Sequence, residues 1–187
     1  MIATRVVHCI ARIRDGDMAT IYDIAKHVGV SAGTVSRALS RPEKVLPDTR
    51  RRIEEAAAAL GYVPNASART LKTQRSGKIL ITVPDIGNPF FAQILKGAEE
   101  AAQAAGYAVL LGDTEHQAER EERYAQMLPR NQADGMIVLG HRLPPTAREI
   151  VRQLGAKAPV VNGCEFDPTL GIPSVHIDNA AAARAAM

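Results

Sequence analysis

The sequence predicts an all-α helix-turn-helix headpiece followed by an α/β parallel-sheet lobe. Between residues 18 and 63, apolar residues recur at helical spacing and are punctuated by Gly29 and Pro47. From Lys78 onward, short apolar runs alternate with amphipathic stretches, the pattern of strands joined by crossover helices. Charge divides at the same place. Up to Gly77 the chain carries 13 Lys and Arg against 7 Asp and Glu, net +6; from Lys78 it carries 10 against 13, net −3. The overall +3 of the 187 residues thus combines a basic head with a mildly acidic body, as expected when only the head meets phosphate.

The first helix opens after Thr20, which has Asp23 three residues on, an acidic form of the capping box. Ile21, Ile24, Ala25 and Val28 form its buried face, and Gly29 ends it by tolerating left-handed backbone. Ser31 is placed to cap a second helix, on which Val35, Ala38 and Leu39 are expected to face inward. Ala32, Gly33, Ser36 and Arg37 remain for its outer face. A third helix, roughly Asp48 to Leu60, is expected to bury Ile53, Ala56, Ala57 and Leu60.

That second helix has the chemistry of a groove reader. Ala32 and Gly33 are small enough to let backbone approach base edges. Arg37 can pair with guanine through two hydrogen bonds, ~1–3 kcal/mol of discrimination. Tyr22, Ser31, Thr34 and Ser36 carry hydroxyls suited to phosphate contacts, which position without reading sequence. A small helical bundle with ordinary caps and a solvated arginine is the plainer alternative.

Residues 64–77 are short, polar and alanine-rich, too little to fold alone, and read as an interdomain linker. Beyond them, strands are expected at Ile79–Val83, Tyr107–Leu111, Met136–Leu139 and from Pro159. Helices are expected at Phe90–Ala105, from about Gln117, and at Thr146–Leu154. Pro129 should kink or end the middle one early. In a parallel sheet, ligands bind beyond the carboxyl ends of the strands. There the sequence places Asp85, Asn88, Phe90 and Phe91, then Asp113 and His116, then His141 and Arg142, then Cys164 and Glu165. Taken singly, each charged residue reads as a solvated loop position or a cap; together they read as one wall of a small-molecule cleft.

Ile21-Tyr22-Asp23-Ile24-Ala25, Val30-Ser31, Thr34 to Leu39 and Gly61 to Asn65 resemble the signature of the LacI/GalR family of bacterial transcription regulators. The resemblance continues through Val83 to Ile86, Asn88 to Phe91, Leu111 to Asp113 and Asp134 to Met136. It implies a periplasmic-binding-protein-like sensor lobe that takes a small-molecule effector, and a homodimer on double-stranded operator DNA. Leu139 to Pro144, Glu165-Phe166 and Pro173 to Asn179 are similar to the cytidine-responsive branch, which points to a nucleoside, with a sugar as the other class. By the same resemblance, 64–77 holds a hinge helix that enters the minor groove. Leu71 would be its apolar wedge, with Asn65, Ala68 and Arg69 alongside. Asp85, Phe90, Phe91, His141 and Glu165 would contribute to the effector site.

Three departures are visible. Leu46 stands where the family usually has a capping serine, a loss of about 1 kcal/mol. Residues 1–17 precede the usual start, so Met18 is the expected first residue and 1–17 a misassigned extension. The chain also stops inside the helix opened by Asp178-Asn179, so residues 78–162 are expected to form the first lobe and 163–187 the beginning of a truncated second lobe.

Two other functional readings are a small-molecule-binding module with a vestigial head, and a regulator fragment with non-specific DNA binding only. An enzyme is disfavoured. The five histidines are scattered, and no nucleophile elbow, phosphate loop or dinucleotide fingerprint is present, so no catalytic residue, metal ligand or cofactor is assigned. Cys9 and Cys164 lack metal-ligand spacing and read as intracellular thiols. With no membrane-length apolar run and no signal peptide, the expected location is the cytoplasm, on the bacterial nucleoid when DNA-bound.

Overall fold

A computed structural model describes residues 19–63, 73–164 and 168–186. The chain divides into two compact units, 1–65 and 66–187.

The first unit holds helices α1 (Ile21–Val28), α2 (Ala32–Ser40) and α3 (Pro47–Ala59), with a 3-10 turn at Pro42–Lys44. The predicted capping box is present: Asp23 N donates to Thr20 Oγ1, and the Asp23 carboxylate accepts from Thr20 N at 2.8 Å. Gly29 ends α1 at φ 75°, and Val30 N reaches back to Ala25 O at 3.0 Å. Ile24, Val35 and Ile53, all fully buried, bring one residue from each helix into a single core with Ala25, Val28, Ala38, Ala56 and Ala57.

Two expected core residues lie outside that core. Leu60 is 37% exposed because α3 has already ended: Gly61 N bonds Ala58 O, Tyr62 N bonds Ala57 O, and Tyr62 folds back against the core instead. Leu39 is 36% exposed, one step around the helix from Val35 and Ala38, at the margin of the buried stripe. Leu46 precedes α3 without a side-chain cap, as its missing hydroxyl dictates, while Pro47 takes the first helical position.

The second unit is a parallel sheet in the order β2-β1-β3-β4-β5. Its strands are β1 (Lys78–Val83), β2 (Ala108–Asp113), β3 (Gly135–Val138), β4 (Val160–Cys164) and β5 (Ser174–His176), and each neighbouring pair is parallel. Helices α4 (Pro89–Ala104), α5 (Ala118–Ala125), α6 (Pro145–Leu154) and α7 (Asn179–Ala186) connect and follow them. Alternation along the strands makes two cores. Leu80, Met136, Val138 and Val160 pack with Ala125, Leu128 and Ala147 on one face. Ile81, Val83 and Leu139 pack with Phe91 on the other, where Ile94 and Leu95 of α4 join them.

Strand β2 begins one residue later than expected because Tyr107 closes α4, its N–H bonding Ala102 O at 2.8 Å. Helix α5 stops at Ala125, four residues before Pro129, the carbonyl with which a proline ring would clash. The boundary expected at 162/163 falls inside β4. Beyond it, Ser174–His176 adds a strand absent from the sequence reading, with Gly163 opposite Val175. That run is too short, and its residues too exposed, to show a buried-strand pattern.

No helix among the described residues is long and apolar enough to cross a membrane.

Candidate functional site

Two sets of residues carry the functional expectations, one in each unit. In the headpiece, Ser31 caps α2 by accepting from Thr34 N at 3.1 Å, and its hydroxyl lies 2.9 Å from Thr34 Oγ1. The helix start is thereby fixed. Gly33 and Arg37, four residues apart, are both exposed and share one face, opposite buried Val35 and Ala38. Arg37 makes no side-chain hydrogen bond or ion pair among the described residues. Tyr22 on α1 is 71% exposed. Ser31 is exposed, while Thr34 and Ser36 are half-buried; Ala32 is half-buried and packs against the core, so its outer-face role is only partial.

The arginines of α3 are committed differently. Arg50 pairs with Glu54 at 2.6 Å, and Arg51 bridges Asp48 and Glu55 at 2.8 and 3.1 Å. These exposed pairs stabilise little. Arg52 donates to Val28 O at 2.8 Å, tying α3 to the end of α1. Arg37 is therefore the arginine of α2 and α3 that keeps its guanidinium uncommitted among the described residues. The hinge residues Asn65, Ala68, Arg69 and Leu71 lie outside the described residues, as do 1–18.

In the sheet unit, the parallel strands deliver their carboxyl ends to one side. Asp85 there accepts from Gly87 N at 2.8 Å, and Asn88 caps α4 by accepting from Phe90 N at 3.0 Å. Phe90 is half exposed, whereas Phe91 is buried in the core with Ile81, Val83 and Leu139. The two rings meet edge to face, centroids 5.2 Å apart. Phe91 thus supports Phe90 from within rather than presenting its own face at the strand ends. Its position explains this: the buried stripe of an amphipathic helix takes one of two adjacent aromatics, not both.

His141 is exposed just past β3, next to Arg142. Arg142 is held by the Glu121 carboxylate at 2.6 and 3.2 Å and also donates to His116 O at 3.1 Å. This Glu121 hydrogen bonding keeps the guanidinium more strongly protonated than usual. The arginine clamps the turn after β2, where Glu115 and His116 both have left-handed backbone, φ 49° and 58°. Asp113 accepts from Glu115 N at 3.3 Å within the same turn. Nearby, Glu122 accepts from Thr146 N at 3.0 Å and from its hydroxyl, capping α6. Burial pushes that carboxyl up, but the Thr146 and Gln126 bonds outweigh it and hold it below the usual carboxylate value. Cys164 is half-buried against the Leu139 core at φ 72°. Glu165 lies outside the described residues.

Sequence reading placed Arg142 at the cleft wall but missed its clamp, because Glu121 is 21 residues away and no local pattern joins them. It also missed two buried polar residues: Thr114, whose hydroxyl donates to Val83 O at 3.1 Å, and Asn162, 2% exposed in the middle of β4. A polar residue interrupting an apolar strand run was the available signal for Asn162. Among the described residues, no group of three or more His, Cys, Asp or Glu could hold a metal ion.

Comparison with known proteins assigns both units. Residues 20–65 match the family described as bacterial regulatory proteins, lacI family. Residues 76–187 match the periplasmic binding proteins and sugar binding domain of LacI family. The HTH-type transcriptional repressor CytR of Escherichia coli (strain K12) is 44% identical over 165 residues, which cover 88% of this chain and 48% of that protein. A LacI-family transcriptional regulator from Silicibacter pomeroyi superposes with a TM-score of 0.70 at 30% identity, over 89% of this chain and 49% of the other. The lac repressor dimer bound to operator and an anti-inducer shares the fold, with a TM-score of 0.71 at 24% identity, over 87% of this chain and 49% of that one. The chain spans about half the length of the curated relatives it matches. A capped helix pair followed in sequence by a five-stranded parallel sheet, matched along both parts, means that the chain belongs to the LacI family of bacterial regulatory proteins.

Proposed function

We propose that this chain is a sequence-specific DNA-binding transcription regulator of repressor type, whose operator affinity is modulated by a small-molecule effector of the nucleoside or sugar class. The observation that carries the reading is α2 itself: capped by Ser31, seated on Val35 and Ala38, and presenting Gly33 with an uncommitted Arg37 outward. Arg37 reads a base edge; Tyr22, Ser31, Thr34 and Ser36 position the helix on phosphates, and Ala32 and Gly33 allow its close approach. Asn65, Ala68, Arg69 and Leu71 belong to a hinge that grips the minor groove, with Leu71 as its wedge. The protein works as a homodimer on a pseudopalindrome, in the cytoplasm, as a regulator and not an enzyme.

The effector wall comprises Asp85, Phe90, His141 and Glu165, with Phe91 acting as the support behind Phe90. Arg142 keeps the turn after β2 in place by its two-point hold on Glu121. An effector acts by binding one of two states more tightly than the other.

The test is selection of duplexes from a random pool by the wild-type chain, followed by Arg37→Ala. The variant is expected to lose about 1–3 kcal/mol of discrimination at one base position. Its non-specific binding should keep nearly the same salt slope. Equal loss on every duplex would overturn base readout, and a wild-type chain that selects nothing would leave only non-specific binding. Cytidine and ribose added to the selected complex then address the effector class, an unchanged affinity with both counting against it.

A further inference from the structure

The residues immediately before β1 are tied down by the residue immediately before β3. Asp134 Oδ1 accepts from Ser76 N at 2.6 Å and from Ser76 Oγ at 2.9 Å, and its Oδ2 accepts from Gly77 N at 2.9 Å. The Asp134 N–H donates in turn to Lys78 O at 2.8 Å, and the Ser76 hydroxyl accepts from Lys78 N at 3.2 Å. Three residues earlier in the chain than Asp134, Asn131 Nδ2 donates to Gln74 Oε1 at 2.9 Å. Gln74 and Asn131 both hold left-handed backbone, φ 55° and 53°.

Pairing of β1 with β3 does not account for the side-chain bonds. Their register runs from Ile79 opposite Gly135 to Thr82 opposite Val138, so the carboxylate grips the chain ahead of the ladder. A carboxylate taking two consecutive backbone N–H groups and a hydroxyl is a rigid, charge-assisted anchor. Two non-glycine residues in left-handed backbone, bonded to each other beside it, show that the surrounding structure sets the path of this stretch. Plain linkers are not held in this way. The anchor also sits at one end of β3, whose other end leads directly to His141 and Arg142.

We propose that Asp134, assisted by Asn131, is a positioning residue for DNA binding: it latches Gln74 to Gly77 and so sets where and in what direction the chain leaves the sheet toward the headpiece. The proposal rests on the DNA-binding reading above. It makes residues 74–77 part of the sheet unit.

The experiment compares the full-length wild-type chain with Asp134→Asn by two readouts. The first is native-state trypsin cleavage at the Arg75–Ser76 bond, which tracks how often that stretch opens. It is expected to rise roughly tenfold in the variant, with the thermal midpoint of the sheet unit unchanged. The second is binding to a wild-type-selected duplex and to an unrelated duplex of equal length. Affinity for the selected duplex is expected to fall about tenfold while non-specific affinity and its salt slope stay put. Asn131→Ala, at an exposed residue, supplies a milder variant should Asp134→Asn lower the midpoint; a smaller shift of both readouts in the same directions is expected. Unchanged cleavage in both variants overturns the latch. Faster cleavage with undiminished selective affinity overturns its role in DNA binding. If the wild-type chain selects no duplex, the DNA-binding reading fails and that role fails with it, while the cleavage rates still decide whether the latch exists.

Discussion

In the headpiece, all three helices send fully buried residues into one cluster, and Ile24, Val35 and Ile53 meet there at 0% exposure. In the sheet unit, the apolar residues divide between two clusters on opposite faces, and the periphery stays open. Val175 of β5 is 73% exposed, Ile177 is 65% exposed, and α7 contributes no buried residue. The headpiece closes with elements adjacent in sequence and with caps three to five residues apart. The sheet unit closes through partners 12 to 58 residues apart: β4 with β5, Arg142 with Glu121, and Asp134 with Ser76. Local pattern is therefore enough to complete one unit, whereas the other depends on pairings that no short window of sequence contains.

The largest expected effect is at Ile53. Ile53→Ala removes a fully buried side chain from a core too small to spread the loss, and is expected to cost the headpiece about 2–5 kcal/mol. Amide exchange should rise across α1 to α3 while the sheet unit keeps its protection. Equal loss in both units would show that they unfold together.

The matching experiment in the sheet is Gly112→Ala. A methyl group there would meet the Tyr124 ring at 2.9 Å, where α5 crosses β2. Overpacking should destabilise that unit by roughly 1–3 kcal/mol and leave the headpiece untouched. A neutral result would mean that Tyr124 moves aside easily.

Leu46→Ser tests the opposite sign. A hydroxyl restored at the uncapped start of α3 is expected to stabilise the headpiece by about 1 kcal/mol, read as a higher denaturant midpoint with unchanged slope.

The smallest effect is in acid. Asp134 and Glu122 are both pushed up by burial and pulled further down by their hydrogen bonds, so each ends below its usual value of 3.8 or 4.5. A lowered folded value means that the unfolded chain binds protons first as pH drops. Their stabilisation is complete above those usual values and is lost as pH falls through the depressed ones. The sheet unit should soften in that window, monitored by exchange or near-UV dichroism. Asp134→Asn with Glu122→Gln should flatten its pH dependence there. In the headpiece, Asp23 is lowered mainly by the Thr20 hydroxyl and then the Thr20 N–H, but it is fully exposed, so a smaller response is expected.

Much of this molecule was legible before its structure. Thr20 with Asp23, Gly29, Ser31 and Pro47 each signal through the chemistry of one residue and a neighbour within a turn. All of them appear where the sequence places them. The strands β1 to β4 were legible because each carries a short apolar run, although β2, at the sheet edge, leaves Leu111 41% exposed. Leu60 misled because periodicity continues past the point where Gly61 turns the chain and Tyr62 takes the core position. Phe90 and Phe91 could not be told apart because two adjacent aromatics carry no mark of which one the helix will bury.

By itself, then, the sequence determined the helical periods, the caps, the turn glycines and the apolar strands, and through its motifs the family. These are short-range properties: each depends on backbone preferences and on side chains within a turn or a strand of one another. Only the tertiary structure decided that Ser174–His176 joins the sheet, that Phe91 lies behind Phe90, that Arg142 clamps the turn after β2, and that Asp134 holds Ser76 and Gly77. Each of those outcomes is a contact between side chains or strands separated along the chain. Its free energy is realised only when folding has brought both partners out of water to the same point.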